Sequence, residues 1–165
     1  MLVATTGTCG RIANIDGETF WIARAIQHDY GALGAEGITQ YRAGDWPMGE
    51  ARDPGFTAMP DPGSGLPHAS IISGDVFLEC GVMAGALAEQ LNAQLVDMEV
   101  AAIAQAAEAL RLPWSAIKAV TDGADEESTG DFSANLKRAA RKAGEAMDVV
   151  CAGGFESPAI SPTPA

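Results

Sequence analysis

The sequence predicts an α/β fold in which helices pack on a central, mostly parallel mixed sheet. Short segments rich in apolar and β-branched residues recur along the 165 residues, and glycine turns or helical segments separate them. The clearest helix–strand unit lies in residues 95–125, with Glu99 beside its helix and Asp122 at the end of its strand. Ligands of α/β sheets bind outside the carboxyl ends of the strands. We therefore expect both carboxylates to border a ligand site.

The helix and the strand of this unit follow from local composition. Residues 100–110 are rich in Ala and Leu, lack Gly and Pro, and place their apolar side chains at helical spacing. Pro113 disfavours helical geometry in the residue before it, so the helix ends there. Ile117 and Val120 are β-branched within a nearly uncharged stretch, which favours a buried strand. An acidic turn, a helix and a strand are thus predicted in that order, the last two near residues 99–110 and 115–121.

The other elements are predicted from the same signals. A strand near residues 2–6 leads into a glycine turn, Gly7-Thr8-Cys9-Gly10, whose backbone N–H groups can approach a ligand closely, although a turn without a ligand is an equal alternative. The helix Gly81–Leu91 is expected to direct Val82 and Met83 inward. The remaining predicted elements are strands near residues 20–27 and 69–73 and a helix near residues 132–150.

Two segments in which apolar residues show neither helical nor strand spacing determine the predicted domain organisation. Residues 41–67 form a Gly- and Pro-rich connector, and a loop of this length inside a domain is usually functional or mobile. It either folds back on its own domain or forms a flap or dimer contact beside the site. Residues 152–165 are rich in Pro, Gly and Ser and are predicted to be a flexible tail, which leaves residues 1–151 as one domain.

Charge and cysteine content restrict the class of protein. The net charge of −12 argues against nucleic acid or an acidic membrane surface as a partner, because both are polyanions. The sequence contains no apolar run of membrane-spanning length and no signal-peptide pattern. The three cysteines, Cys9, Cys80 and Cys151, are widely scattered, which suits reduced thiols in a cytoplasm and suits no metal site. We therefore expect a soluble, acidic, cytoplasmic protein.

Four motifs in register carry a resemblance to a known family. They are Thr6-Gly7-Thr8-Cys9-Gly10, Ser73-Gly74-Asp75-Val76-Phe77-Leu78, Val96-Asp97-Met98-Glu99-Val100-Ala101-Ala102 and Ala119-Val120-Thr121-Asp122-Gly123-Ala124-Asp125. Together, over residues 2 to about 150, they resemble the nucleoside phosphorylase/nucleosidase superfamily, and within it most closely the 5′-methylthioadenosine/S-adenosylhomocysteine nucleosidases. Each motif alone would be weak, whereas their common order is specific.

The resemblance implies a three-layer α/β sandwich around the central sheet, shortened at its N-terminus relative to the family. It implies a homodimer that hydrolyses the N-glycosidic bond of a purine nucleoside, 5′-methylthioadenosine or S-adenosylhomocysteine, in methionine salvage. Adenine is then a product, and no cofactor is needed. Two alternatives stay open: a purine nucleoside phosphorylase that uses phosphate as the nucleophile, and a catalytically incomplete homologue or fragment that binds adenine nucleosides.

The resemblance also assigns roles to individual residues. Asp122 matches the aspartate that protonates the purine at N7, and Glu99 matches the carboxylate that binds the ribose hydroxyls. Phe77 lies where the family stacks an aromatic ring on the purine. Five further positions are matched to supporting roles: Leu78 at the base edge, Met98 beneath the sugar, Thr121 orienting Asp122, Thr8 facing the ribose or the nucleophile, and Lys118 where the nucleosidases have an arginine near the water site.

The nucleophile is the part of the reaction for which the sequence has no matched residue. In the resembled nucleosidases an N-terminal glutamate activates water, and the given sequence has no counterpart to it. Arg11 and Arg24 are candidates for the phosphate grip of a phosphorylase, and Glu79 and Asp75 are candidates for an alternative water-activating carboxylate. We therefore expect the 165-residue chain by itself to bind adenine nucleosides weakly and to turn over slowly.

Overall fold

The computed structural model describes residues 1–35 and 37–154 and shows a six-stranded mixed sheet flanked by helices. The predicted α/β class and its mixed sheet are confirmed. The strands are β1 (Val3–Arg11), β2 (Thr19–Gln27), β3 (Gly31–Gly34), β4 (Gly37–Gln40), β5 (Gly55–Thr57), β6 (His68–Ser73), β7 (Leu95–Asp97) and β8 (Trp114–Asp122). The helices are α1 (Gly81–Leu91), α2 (Val100–Ala109) and α3 (Ser128–Gly153). Within the described residues, no helix is both long enough and apolar enough to span a membrane.

The sheet has the order β5-β2-β6-β7-β1-β8 and closes on itself through a further pairing of β2 with β8. Its two long ladders, β1 with β8 and β2 with β6, are parallel. The β1–β7, β2–β5 and β2–β8 ladders are antiparallel and shorter. β3 and β4 form a separate hairpin. Strands β2, β6, β7, β1 and β8 thus form a closed ring, which requires the sheet to curve.

Alternation along β2 shows how the two faces of the sheet are covered. Phe20 and Ile22 belong to the core that α2 covers, whereas Trp21, between them, packs with Ile117 and with Met147 of α3. Successive strand residues point to opposite faces, so one strand supplies both cores. Helix α1 covers the same face as α3, over a third apolar cluster. The result is the predicted arrangement of helix, sheet and helix layers.

Three strand predictions were incomplete, and the short strand β5 within the predicted connector was not predicted either. The segment predicted as a glycine turn, Gly7 to Gly10, is a continuation of β1, with a bulge in its register at Cys9/Gly10. The acidic stretch predicted as a turn before α2 contains β7, which lies between β6 and β1. The hairpin β3–β4 was not predicted, because its glycine-rich strands lack the run of β-branched residues that marks a strand in sequence.

Two helices also differ in detail from expectation. Helix α1 has the predicted bounds, but Val82 and Met83 are exposed, and its buried side chains are Ala84, Ala88 and Leu91. Helix α3 starts at Ser128, before the predicted residue 132, and runs to Gly153, past the predicted start of the tail. The rest of that predicted tail, residues 155–165, lies outside the described residues.

The connector at residues 41–67 packs back on its own domain through side-chain contacts. Tyr41 Oη donates to the carbonyl of Gly49 at 2.7 Å, and Arg42 stacks over the ring of Phe56 at 4.0 Å while pairing with Glu108 of α2. Phe56 is buried in β5, whereas other apolar side chains of this stretch are exposed. A role of the same segment as a flap or dimer contact stays a prediction.

The core between the sheet and α2 can be tested by a substitution that removes buried apolar groups. Ile71 of β6 is fully buried there, so Ile71→Ala removes packed methyl and methylene groups and leaves a cavity. We expect a loss of about 2–5 kcal/mol in the free energy of unfolding. Val149→Ala, on the exposed face of α3, is the matched control and should stay within about 0.5 kcal/mol. Urea unfolding with an unchanged m-value measures both, and equal midpoints for the two variants would contradict this assignment of the core.

Candidate active site

A cavity of about 380 Å³ opens where the ends of β1, β6, β7 and β8 meet the starts of α2 and α3. Its lining combines carboxylates, hydroxyls and a larger share of apolar side chains, which is the composition of a small-molecule site. The lining residues are Thr8, Cys9, Gly10, Val76, Phe77, Leu78, Val96, Asp97, Met98, Glu99, Thr121, Asp122, Thr129, Phe132 and Ser133.

The register of the sheet brings these distant residues together. Gly10 of β1 pairs with Val96 of β7 on one side and with Asp122 of β8 on the other. Ser73, the last residue of β6, pairs with Asp97, the last residue of β7. Four strand segments that are far apart in sequence thus end beside one another. The cavity follows directly from this register.

Asp122 is a buried carboxyl group with a fixed orientation. Its Oδ1 accepts the backbone N–H of Ala124 at 3.0 Å, and its Oδ2 lies 2.7 Å from the hydroxyl of Thr121. The same hydroxyl is 3.1 Å from the carbonyl oxygen of Cys9. A hydroxyl has one proton, so it can donate to only one of the two oxygens at a time. Gly10 makes room for the carboxyl group, because a Cβ there would lie 2.9 Å from Asp122 Oδ1.

Glu99 and Asp97 lie two residues apart and share one buried cation. Lys118 Nζ is 2.7 Å from Asp97 Oδ2 and 3.1 Å from Glu99 Oε2. Burial alone would lower the pKa of Lys118, but the two carboxylates outweigh it and raise that pKa. Burial also raises the pKa of Asp97, against the attraction of Lys118. The two shifts have different causes: the carboxylates raise the pKa of Lys118 despite its burial, whereas burial itself raises the pKa of Asp97.

Two aromatic rings border the cavity on its apolar side. Phe77, after β6, and Phe132, in the first turns of α3, meet edge to face with their centroids 5.8 Å apart. Glu79 accepts a hydrogen bond from Thr129, which ties the segment carrying Phe77 to the start of α3. A flat heterocycle can lie against such a wall, and aromatic pairs of this geometry hold their rings in place.

The turn that leads to Phe77 rests on His28 and Asp29. A Cβ at Gly74 would overlap Nε2 of His28, so only glycine allows this close approach. Asp29 accepts the backbone N–H of Asp75 at 2.8 Å. His28 is buried beneath this turn, whereas Asp29 is exposed.

The structure brings the sequence-predicted site residues to one place. Asp122, Glu99 and the predicted base, sugar and nucleophile-side contacts all line the cavity: Thr8, Phe77, Leu78, Met98 and Thr121. Lys118 lies behind the lining and reaches it through Glu99. Their chemical roles stay predictions at this point.

The candidates for nucleophile chemistry lie elsewhere. Arg24 pairs with Asp53 beside β5, and Arg11 borders a second cavity of about 440 Å³ on the far side of Asp122. Asp75 and Glu79 are exposed and are not part of the lining. The cavity lining, within the described residues, contains no arginine or lysine side chain.

Asp97 and Phe132 are among the lining residues that sequence reasoning missed. Asp97 stands two positions before Glu99 in the same motif, and the strand period of two could have indicated that both face one site. Phe132 falls on the apolar face of α3 by helical spacing, so its sequence position alone indicates a core residue. Only the position of the α3 N-terminus beside the end of β8 shows that the ring faces the cavity.

The fold and the position of this cavity, in a crevice at strand ends of a mixed α/β sheet, define a ligand-binding α/β domain. The chain belongs to the phosphorylase superfamily, whose family model matches residues 2–151.

Curated and solved relatives agree with this membership. A 5′-methylthioadenosine/S-adenosylhomocysteine nucleosidase from Mycobacterium bovis is 30% identical over 136 residues, which cover 67% of this chain and 53% of the relative. The chain therefore spans about half the length of that protein. A nucleosidase of the same name from Neisseria meningitidis, solved with methylthio-immucillin-A, has a TM-score of 0.75 at 25% identity, covering 91% of this chain and 68% of the other. Futalosine hydrolase of Helicobacter pylori, at 20% identity and a TM-score of 0.74 over 91% and 67% of the two chains, shares the fold.

The buried His28 makes the free energy of unfolding depend on pH, and the direction of this dependence can be derived. Burial lowers the pKa of His28 below its ordinary value of 6.5. Below pH 6.5 the unfolded chain therefore binds a proton that the folded chain does not, so stability is lost as the pH falls, until the folded-state pKa is passed. We expect the free energy of unfolding to drop more between about pH 7.5 and about pH 5.5 in the wild type than in His28→Leu.

Urea titrations at the two pH values measure this difference. The sequence contains two histidines, and His68 remains in both proteins, so the difference between the two pH slopes isolates His28. Equal slopes would show that His28 titrates in the folded protein as it does in the unfolded chain.

Proposed function

We propose that this chain carries the catalytic centre of a 5′-methylthioadenosine/S-adenosylhomocysteine nucleosidase, which hydrolyses the N-glycosidic bond and releases adenine. One observation carries the proposal: a buried carboxyl with a hydroxyl partner, Asp122, shares a single cavity with an aromatic wall and with a second, solvent-facing carboxylate, Glu99. The relatives described above, including those from M. bovis and N. meningitidis, bear the same name.

The cavity suits a nucleoside in size and in lining. Its volume of about 380 Å³ lies at the lower end of the range for small-molecule sites. In this proposal the purine lies against Phe77, and the backbone at Leu78 meets the edge of the base. Met98 and Thr8 border the sugar. Phe132 extends the apolar wall beyond the residues that the sequence suggested.

Asp122 is the proposed general acid, which protonates the leaving purine at N7. While the carboxyl is neutral, the Thr121 hydroxyl can donate to the carbonyl of Cys9. Once the proton has passed to the base, the hydroxyl can turn to Asp122 Oδ2 and stabilise the new carboxylate. The Ala124 N–H on Oδ1 keeps the carboxyl plane fixed throughout. Preorganised groups of this kind lower the barrier without reorganisation during the reaction.

Glu99 is the proposed partner of the ribose hydroxyls. Its Oε2 faces Lys118, whereas its Oε1 makes no hydrogen bond within the described part of the chain, and 60% of its side chain is exposed. The free oxygen can accept hydrogen bonds from a sugar. A carboxylate there also stabilises positive charge as it develops on the sugar ring when the glycosidic bond breaks.

The names of the relatives favour water over phosphate as the nucleophile, because those relatives are nucleosidases. A phosphate nucleophile requires cationic donors at the sugar, yet Arg11 and Arg24 lie outside the cavity. Hydrolysis is the reaction proposed here. The water-activating group is not assigned, since Asp97 has both oxygens occupied by Ser73, Val100 and Lys118.

Assembly as a homodimer, a place in methionine salvage and a cytoplasmic location complete the proposal. A second subunit would cover four exposed apolar side chains: Val76 and Phe77 at the cavity, and Val82 and Met83 at the start of α1. Sedimentation at several protein concentrations tests the dimer.

Release of free adenine from 5′-methylthioadenosine, with and without phosphate, tests the reaction itself. We expect adenine to be released at the same rate with and without phosphate. Even slow release would support hydrolysis. Phosphate-dependent release with a sugar-1-phosphate product would instead indicate a phosphorylase. Binding without release would indicate a catalytically incomplete nucleoside-binding chain.

Asp122→Asn should reduce adenine release by at least about a hundredfold, the usual range for the loss of a general acid. Thr121→Val, which keeps the carboxyl but removes the hydroxyl, should cost less than Asp122→Asn. Asp148→Asn, on the exposed side of α3, removes the same charge away from the cavity and should leave the rate unchanged. Full activity in Asp122→Asn would show that another group protonates the base.

A further inference from the structure

Lys118 is a deeply buried charged group beside the cavity. Only 3% of its side chain is exposed, although it ends in an ammonium group. Burying a charge is costly unless it is paired and hydrogen-bonded, so the position must be stabilised by its partners. Those partners are Asp97 at 2.7 Å and Glu99 at 3.1 Å.

The two carboxylates bind the ammonium in very different surroundings. Asp97 is as deeply buried as Lys118, and each of its oxygens is engaged: Ser73 Oγ donates to Oδ1 at 2.6 Å, and the N–H of Val100 reaches Oδ2 at 3.2 Å. The Ser73 hydroxyl in turn accepts the N–H of Ala101 at 2.9 Å. Asp97 is therefore fixed to the end of β6 and to the start of α2, and it fixes Lys118.

Glu99 differs because only one of its oxygens is held. Its side chain stands at the rim of the cavity, and the ammonium of Lys118 is the cation that restrains it. Without that contact, an exposed glutamate at the N-terminal boundary of a helix would sample several rotamers. With it, Oε2 faces the protein and Oε1 is directed to the open side.

Gly7 of β1 leaves the space that this arrangement needs. A Cβ at position 7 would lie 3.1 Å from Lys118 Nζ, closer than ordinary contacts allow. The ammonium therefore lies against bare backbone, and a side chain at position 7 would shift it by a few tenths of an ångström.

We propose that Lys118, anchored by Asp97, is a positioning residue that holds the Glu99 carboxylate in the orientation that binds the sugar of the substrate. This inference rests on the proposed function. It assigns Asp97 and Lys118 to sugar recognition rather than to the base, and it gives Gly7 a role as the residue that admits the ammonium.

The test compares two ligands in order to distinguish contacts to the sugar from contacts to the base. Dissociation constants for adenine and for 5′-methylthioadenosine are measured by calorimetry in an Asp122→Asn background, in which turnover is suppressed. Adding Lys118→Met should weaken binding of the nucleoside by about ten- to hundredfold, the range for a lost hydrogen bond to a charged group. Binding of adenine should change by less than about twofold. Lys137→Met, an exposed lysine of α3, is the control and should change neither.

Two further variants cover the case in which Lys118→Met does not fold, since it leaves Asp97 buried without its cation. Gly7→Ala keeps every charge but displaces the ammonium, so it should weaken nucleoside binding selectively and by less than Lys118→Met. Lys118→Arg keeps the charge and should restore part of the selectivity for the nucleoside.

The outcomes distinguish the two proposals. The positioning role would be overturned if Gly7→Ala and Lys118→Met weakened the binding of adenine and of the nucleoside equally. It would also be overturned if neither variant weakened the binding of either ligand. Failure of the background protein itself to bind either ligand would instead overturn the proposed function, and the positioning role with it.

Discussion

The buried ion pair between Asp97 and Lys118 connects the parts of the molecule that form the cavity. Asp97 ends β7, Lys118 lies inside β8, and the hydroxyl and amide partners of Asp97 belong to β6 and α2. Such a pair contributes little net stability compared with apolar residues, but removing one member costs about 3–5 kcal/mol because the other charge stays buried. The pair therefore specifies which elements lie together more than it strengthens their contact. The apolar clusters on both faces of the sheet supply most of the stability.

Much of this fold could be predicted from local sequence signals. Apolar periodicity placed α1 at its observed bounds and α2 and β6 within a residue or so, because these elements bury one face or lie fully inside. The three-residue strand β7 could not be found in this way, since it is shorter than any reliable pattern and carries a carboxylate at its end. The glycine segment of β1 was interpreted as a turn because glycine usually marks one. Here the glycines instead admit an ammonium and a carboxyl group from β8.

Several residues of the site could also be predicted from local motifs, whereas their contacts depend on the tertiary structure. Motifs in the sequence placed Asp122, Glu99 and Phe77 together, and the structure puts all three on one cavity. The partner of Glu99 could not be predicted, because it depends on the register between β8 and β1 and on the burial of Lys118. Phe132 was missed for a related reason: helical spacing shows which face of α3 is apolar, but not that the first turn extends beyond the core. Local patterns thus identify the chemical groups, and long-range pairing decides what each of them meets.

The closure of the sheet by β2 and β8 has a consequence for how the chain folds. Residues 19–21 pair with residues 117–119, and β1 pairs with β8 over a similar separation. Contacts between such distant segments are slow to form, because the entropy of closing a long loop is lost before the contacts compensate for it. During synthesis, β1 and β2 leave the ribosome well before β8 exists, and their hydrogen-bonding edges stay open in the meantime. Open strand edges associate with one another. The yield of soluble protein should therefore depend on how long these edges stay open, and a chaperone that shields strand edges would favour the native sheet.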